Sequence, residues 1–212
     1  MFARLVPTVA AAALTAVGAG TALAGEYDID PLEQAAVIAP ESAAPWEAWS
    51  IGLDVGALWR VTDNTHLDYF VMPAVLNVRT PAHWIWGVGR GKLVTRARFN
   101  LLGEAILRGP ESYYFGWSAS PSFEYFLPNE RTSFHFAIGG GSGWLDSRGV
   151  DGGQGRDYTY NWFMHGGLRQ RIGERVDLSI GVFFQHFSNR GATDPNPGLD
   201  AFGPMIGLSW DF

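Results

Sequence analysis

The chain has 212 residues, 47% of them hydrophobic and 17% charged, which suits one folded domain and excludes an intrinsically disordered chain. With 27 Gly, 9 Trp and no Cys, the composition favours strands and tight turns over helical bundles. It also excludes disulfides, thiol nucleophiles and thiolate metal sites. A formal net charge of -6 offers no basic field to neutralise phosphates, so nucleic acid is excluded as a partner.

Residues 1–24 read as an address. Arg4 precedes an apolar stretch from Leu5 to Leu23 that closes on Ala22-Leu23-Ala24, the small-x-small pattern of a signal-peptidase site. Pro7 and the Ala- and Gly-rich composition argue against a retained anchor, so this segment is expected to be removed. Residues 25–47 carry three prolines and scattered acids without strand alternation. They are expected to form an N-terminal arm, with room for a short helix near Pro31 to Val37. Beyond Ala24 no run of about 18 apolar residues is left that could cross a membrane as a helix.

From residue 48 onward the pattern changes to strict alternation. Trp49, Ile51, Leu53, Val55, Trp59 and Val61 share one parity, with Ser50, Gly52, Asp54, Gly56 and Arg60 between them. About a dozen residues is long for a globular strand but suits a tilted membrane-spanning one. A less regular strand follows near Leu67 to Arg79. The stretch His83 to Arg90 (HWIWGVGR) fits no strand. Leu93, Phe99, Leu101 and Leu107 oppose Arg96, Arg98 and Glu104; Phe115, Trp117 and Phe123 oppose Gly116, Ser118 and Glu124; Phe134, Phe136 and Ile138 oppose Ser133 and His135. Tyr158 to Arg169, Val176 to Ser188 and Asp200 to Phe212 complete a set of eight.

Eight long strands with one apolar and one small-polar face predict an all-β, eight-stranded antiparallel transmembrane barrel over residues 48–212, its interior filled by side chains. A soluble lipocalin-like barrel shows the same period with the apolar face turned inward. The signal peptide, the abundant aromatics and the final run Ile206, Leu208, Trp210, Phe212, which ends on an aromatic like bacterial outer-membrane barrels, favour the membrane. Pro128 to Arg131 and Gly173-Glu174 are tight and thus periplasmic, whereas Asp146 to Arg156 and Asn189 to Leu199 are long, polar and outward.

One constellation breaks the apolar face. Continuing the parity of Val176, Leu178, Ile180, Val182 and Phe184 reaches His186 and Ser188, and counting back from Phe212 reaches Asp200. Base, hydroxyl and acid thus fall on the lipid-facing wall of neighbouring strands near the outer boundary, where polar groups are costly. A serine nucleophile needs a base within reach and an acid to orient it, whatever the chain order.

His186-Phe187-Ser188-Asn189-Arg190-Gly191, then Pro195-Asn196-Pro197-Gly198 and a last strand ending in an aromatic, resemble the lipid A 3-O-deacylase (PagL) family of outer-membrane barrels. The match is strong over residues 174–212, looser from Pro121, and faint over 25–110. The resemblance implies His186 as base, Ser188 as nucleophile, and Asn189 with Gly191 at the oxyanion hole. The family's orienting acid is commonly Glu; Asp200 is one methylene shorter, so a longer contact to His186 or a local shift is expected.

Other candidates are weaker. His66, His83, His135 and His165 lack ligand spacing and GGGSG at 139–143 precedes no helix, so neither a metal nor a nucleotide cofactor is expected. Asp54, Arg60, Arg96, Arg98, Glu104, Glu124, Arg169 and Asp177 have inward parity and read as an interior polar network. Arg148, Arg156 and Arg190 fall on outer loops, within reach of lipid A phosphates, with ordinary solvation the default for any single one. The reading is an outer-membrane esterase that removes the 3-O-linked hydroxyacyl chain of lipid A, the substrate coming from the resemblance alone. Its rivals are a non-catalytic adhesin or scaffold barrel, and a phospholipase or acyltransferase with the same triad. Oligomeric state, a homodimer included, stays open.

Overall fold

The computed structural model describes residues 44–61 and 68–212. The expected signal peptide, most of the arm with its short helix, and His66 lie outside the described residues. The chain forms strands β1 (Ser50–Gly56), β2 (Leu58–Arg60), β3 (Phe70–Arg79), β4 (Trp84–Val88), β5 (Gly91–Arg108), β6 (Tyr113–Phe126), β7 (Thr132–Leu145), β8 (Tyr158–Arg171), β9 (Val176–Ser188) and β10 (Leu199–Asp211). All pairings are antiparallel, and β1 against β10 closes the sheet.

Ten strands make eight staves. β1 and β2 meet β10 in one register, Gly56 opposite Met205 and Trp59 opposite Phe202, with the Ala57 N–H donating to the Pro204 carbonyl between them. β4 prolongs the line of β3 along β5, joined by the Thr80 and His83 N–H groups bonding to Ala97 and Thr95.

Cross-strand neighbours followed once round run Ser50, Arg79, Arg98, Ser120, Gly139, Phe163, Gln185, Ala201 and back to Arg60, ten residues up the starting stave. Ser120 meets Gly139 by the register of Ala119↔Gly140 and Ser122↔Ala137. That stagger over eight strands tilts them by about 40° and leaves a lumen that side chains fill.

The barrel is apolar outside and polar inside. Ile51, Leu53, Phe99, Leu101, Ile138, Ile180, Ile206 and Leu208 are exposed, while Asp54, Asn77, Arg79, Arg98, Glu124, His165 and Arg169 are buried. A surface of that kind is stable only in lipid, which removes the lipocalin-type alternative and makes this an outer-membrane barrel. The expected interior network is present. Arg98 pairs with Asp54 at 3.0 Å, Asn77 Nδ2 donates to Asp54 at 2.9 Å, and Arg169 and Arg79 both pair with Glu124.

Toward the outer end the lumen turns apolar. Leu58, Val71, Leu102, Phe163, Phe183, Phe187, Leu199 and Ala201 pack there with Tyr114, whose ring centroid lies 4.4 Å from that of Phe187. This plug backs the inner side of β9 and β10 at the level of His186 and Asp200, so the wall carrying those residues rests on a packed core.

Short turns at 128–131 and 173–175 share the end at which Trp49 and Phe212 meet, the periplasmic end. The stretch HWIWGVGR forms β4 and a turn at Gly89. Every residue of β4 is exposed, so it shows no alternation. Ala44 to Glu47 tuck under this end: Trp46 is buried against Phe126, and Arg96 donates to the Pro45 carbonyl at 2.8 Å.

Candidate active site

His186 and Asp200 are direct cross-strand partners near the outer ends of β9 and β10. Both point to the outer wall, because the inward positions beside them are taken by Gln185, Phe187, Leu199 and Ala201. His186 Nδ1 lies 2.6 Å from Asp200 Oδ1, with the two side chains 25% and 17% exposed. Partial burial strengthens such a contact, and binding at Nδ1 leaves the far ring nitrogen, Nε2, to act on a neighbour. The contact is short despite the missing methylene, and no shift of strand register accompanies it.

Ser188, two residues along the same outward face, ends β9 opposite Tyr160 of β8, as His186 stands opposite Trp162. These side chains open onto a cleft of about 340 Å³ that Gly141 and Arg190 also line. Ser188 lines the cleft, and among the described residues its Oγ makes no hydrogen bond, to His186 or to any other side chain. Trp59, Tyr113, Phe115, Trp144, Tyr160 and Trp162 are exposed around the wall at this level. They form the aromatic girdle of the outer interface, and the site lies within it.

The loop after Ser188 is held from inside. Asn189 is fully buried; the two hydrogens of its Nδ2 are shared among the carbonyls of Gln154, Thr193 and Pro195, and its own N–H donates to Asn196 Oδ1 at 2.8 Å. The Asn189 side chain therefore anchors the loop and does not face the cleft. Arg190 and Gly191 follow with φ of 58° and 73°, a left-handed pair that reverses the chain immediately beyond Ser188 and that glycine accommodates at little cost.

The partner that receives Asn189 was not among the sequence candidates. Gln154 sits on the preceding outer loop, accepts the Gly198 N–H on Oε1 at 3.2 Å, and donates its own N–H to Ser147 Oγ and Glu111 Oε1. Its carbonyl and side chain thus grip the 189–198 loop at both ends. Gly155 next to it has φ 72°, and a Cβ there would stand 2.7 Å from the Pro195 carbonyl oxygen, so only glycine lets the two loops close.

Beneath them Glu111 accepts from Ser147 Oγ and from Tyr69 OH, each at 2.8 Å. Burial, together with the Glu111 carboxylate, pushes the Tyr69 hydroxyl well above its ordinary range, so it remains a donor. The only sequence signal for this brace was the GGQG run at 152–155, which read as a plain polar loop.

No cluster of metal-ligating side chains exists among the described residues. A second groove, about 440 Å³ and lined by His83, Trp84, Phe99 and Pro121 among others, lies toward the periplasmic end and gathers no carboxylate beside its histidine.

A family model described as lipid A 3-O-deacylase (PagL) matches residues 74–209, reaching well into strands where the sequence resemblance is faint. Among solved structures, the outer membrane enzyme PagL superposes with a TM-score of 0.52 at 19% identity, covering 74% of this chain and 97% of that one. Neisserial surface protein A gives 0.46 at 10% identity, covering 77% and 97%. The Yersinia pestis outer membrane protein Ail gives 0.34 at 17%, covering 78% and 100%. No curated protein matches the chain in sequence. With the family model spanning more than half its length over an outer-membrane barrel, the chain belongs to the lipid A 3-O-deacylase (PagL) family.

Proposed function

We propose that this barrel hydrolyses the ester-linked 3-O-hydroxyacyl chain of lipid A, with Ser188 as nucleophile, His186 as base and Asp200 as the orienting acid. The observation that carries the reading is the 2.6 Å contact between His186 and Asp200 on the lipid-facing wall, with Ser188 next along the same face. A soluble esterase must draw its substrate out of the membrane. Here an acyl chain can stay in the leaflet while its ester bond, at the boundary between chains and sugar, reaches Ser188.

Ser188 Oγ attacks the ester carbonyl as its proton passes to His186, and Asp200 stabilises the imidazolium that forms. The tetrahedral oxyanion is met by the N–H of Gly191, in a segment that Asn189 holds in place from within. Collapse breaks the bond to the sugar 3-oxygen, which leaves as a hydroxyl with the proton from His186. Water, deprotonated by His186, then attacks the acyl-serine and releases the hydroxy fatty acid, restoring Ser188.

Mass spectrometry of lipid A incubated with the purified barrel tests the reading: loss of one hydroxyacyl chain is expected. An unchanged lipid A would leave a non-catalytic barrel, and hydrolysis of a glycerophospholipid in its place would assign the same triad to a phospholipase.

A further inference from the structure

Two arginines stand on tyrosine rings, one lining the cleft and one beside it. Arg190 Cζ lies 5.1 Å from the ring centroid of Tyr160, and Arg156 Cζ lies 5.4 Å from that of Tyr158. The two tyrosines are alternate residues of β8 on the outward face, their rings 5.5 Å apart, and Tyr160 is the cross-strand partner of Ser188. The side chains arrive from different loops, 146–157 and 189–198, yet converge on one patch at the outer girdle.

Their charge is not balanced by any ion pair among the described residues. Arg148, on the first of these loops, pairs with Asp157 at 3.8 Å, whereas neither Arg156 nor Arg190 makes an ion pair among the described residues. A guanidinium lying on an aromatic face keeps its N–H edge free, and that edge is a rigid fork matched to two oxygens of a phosphate. Two guanidinium groups on neighbouring tyrosine rings repel each other, and an anion held between them relieves that repulsion.

We propose that Arg156 and Arg190 form a clamp for a phosphomonoester on the head of the lipid substrate, which orients the sugar so that its acyl ester meets Ser188. The clamp rests on the deacylase reading for the identity of the lipid, and it supplies what that reading lacks, a contact that recognises the headgroup. A phospholipid carrying only a phosphodiester presents one charge, and a dianionic monoester suits two guanidinium groups better.

The test uses Ser188→Ala barrels in detergent, so that binding is read without turnover, with tryptophan fluorescence as the signal. Bisphosphorylated lipid A is titrated against the same lipid after enzymatic dephosphorylation, with inorganic phosphate as a third ligand. The phosphorylated lipid is expected to bind about tenfold tighter than the dephosphorylated one. Introducing Arg156→Gln and Arg190→Gln together should abolish that difference, and Arg190→Lys, which keeps the charge, should retain part of it. In barrels with Ser188 intact, the Gln pair should raise KM for the phosphorylated lipid by about tenfold, with the loss confined to that substrate.

Equal loss on both lipids, or no loss on either, overturns the clamp. So does displacement of the lipid by an equal concentration of inorganic phosphate, which would make the site one for the free anion. Failure of the deacylase reading looks different: the Ser188-intact barrel would release no acyl chain while the phosphate-dependent binding persisted.

Discussion

His186 and Asp200 face each other directly across the β9–β10 pair, Nδ1 to Oδ1 at 2.6 Å. Directly opposed residues of an antiparallel pair have Cβ atoms only about 4.5–5.5 Å apart, so a short carboxylate closes the gap without help from the backbone. In the proposed triad an aspartate therefore has the reach to orient His186, where the family commonly has glutamate. Asp200→Asn should leave a folded barrel whose rate falls by about 10³–10⁴-fold, since an amide favours the wrong imidazole tautomer and cannot stabilise the imidazolium. Asp200→Glu should keep activity within about tenfold, or roughly 1.4 kcal/mol of barrier. Steady-state release of fatty acid by barrels shown to be folded checks both.

The outward parity of β9 makes a second expectation that is independent of catalysis. Ile180 is exposed on the lipid face. Ile180→Arg should destabilise the barrel by about 2–4 kcal/mol, whereas Ile180→Leu, which keeps that face apolar, should be near neutral. Reversible unfolding in lipid vesicles measures both, and equal penalties would contradict the assignment of faces.

The brace around Gln154 gives a third. Gln154→Met keeps the volume but removes the acceptor for the Gly198 N–H, and loss of one buried hydrogen bond costs about 1–3 kcal/mol. If the bond also sets the position of the loop beyond Ser188, kcat should fall by about tenfold with KM little changed, alongside a loss of stability of that size. A drop in stability with kcat intact would mean that the brace only holds the loops together.

Much of the barrel was legible because strand side chains alternate with a period of two: a single parity count carried from Val176 placed His186 and Ser188 on the lipid wall, and the same count back from Phe212 placed Asp200. The structure keeps those faces. The count fails where one face is not buried. In HWIWGVGR, Trp84, Ile85, Trp86 and Val88 are all exposed on a hairpin beyond the barrel rim, so the strand has no pattern to read.

The count also ends with the strand. Asn189, one residue past β9, turns its side chain inward to the loop core, and no periodicity indicates that. Its partner Gln154 is 35 residues away, and Glu111 is 43 from Gln154. Bonds between polar loops at such separation leave no local trace in the sequence.

The central claim is that a serine on the outer wall of the barrel does the chemistry. The most direct measurement is release of hydroxy fatty acid from lipid A by wild-type and Ser188→Ala barrels of equal folded fraction, followed by mass spectrometry of the remaining lipid. Release by the wild type and none by Ser188→Ala is the expected result. Release at the wild-type rate from Ser188→Ala would contradict it.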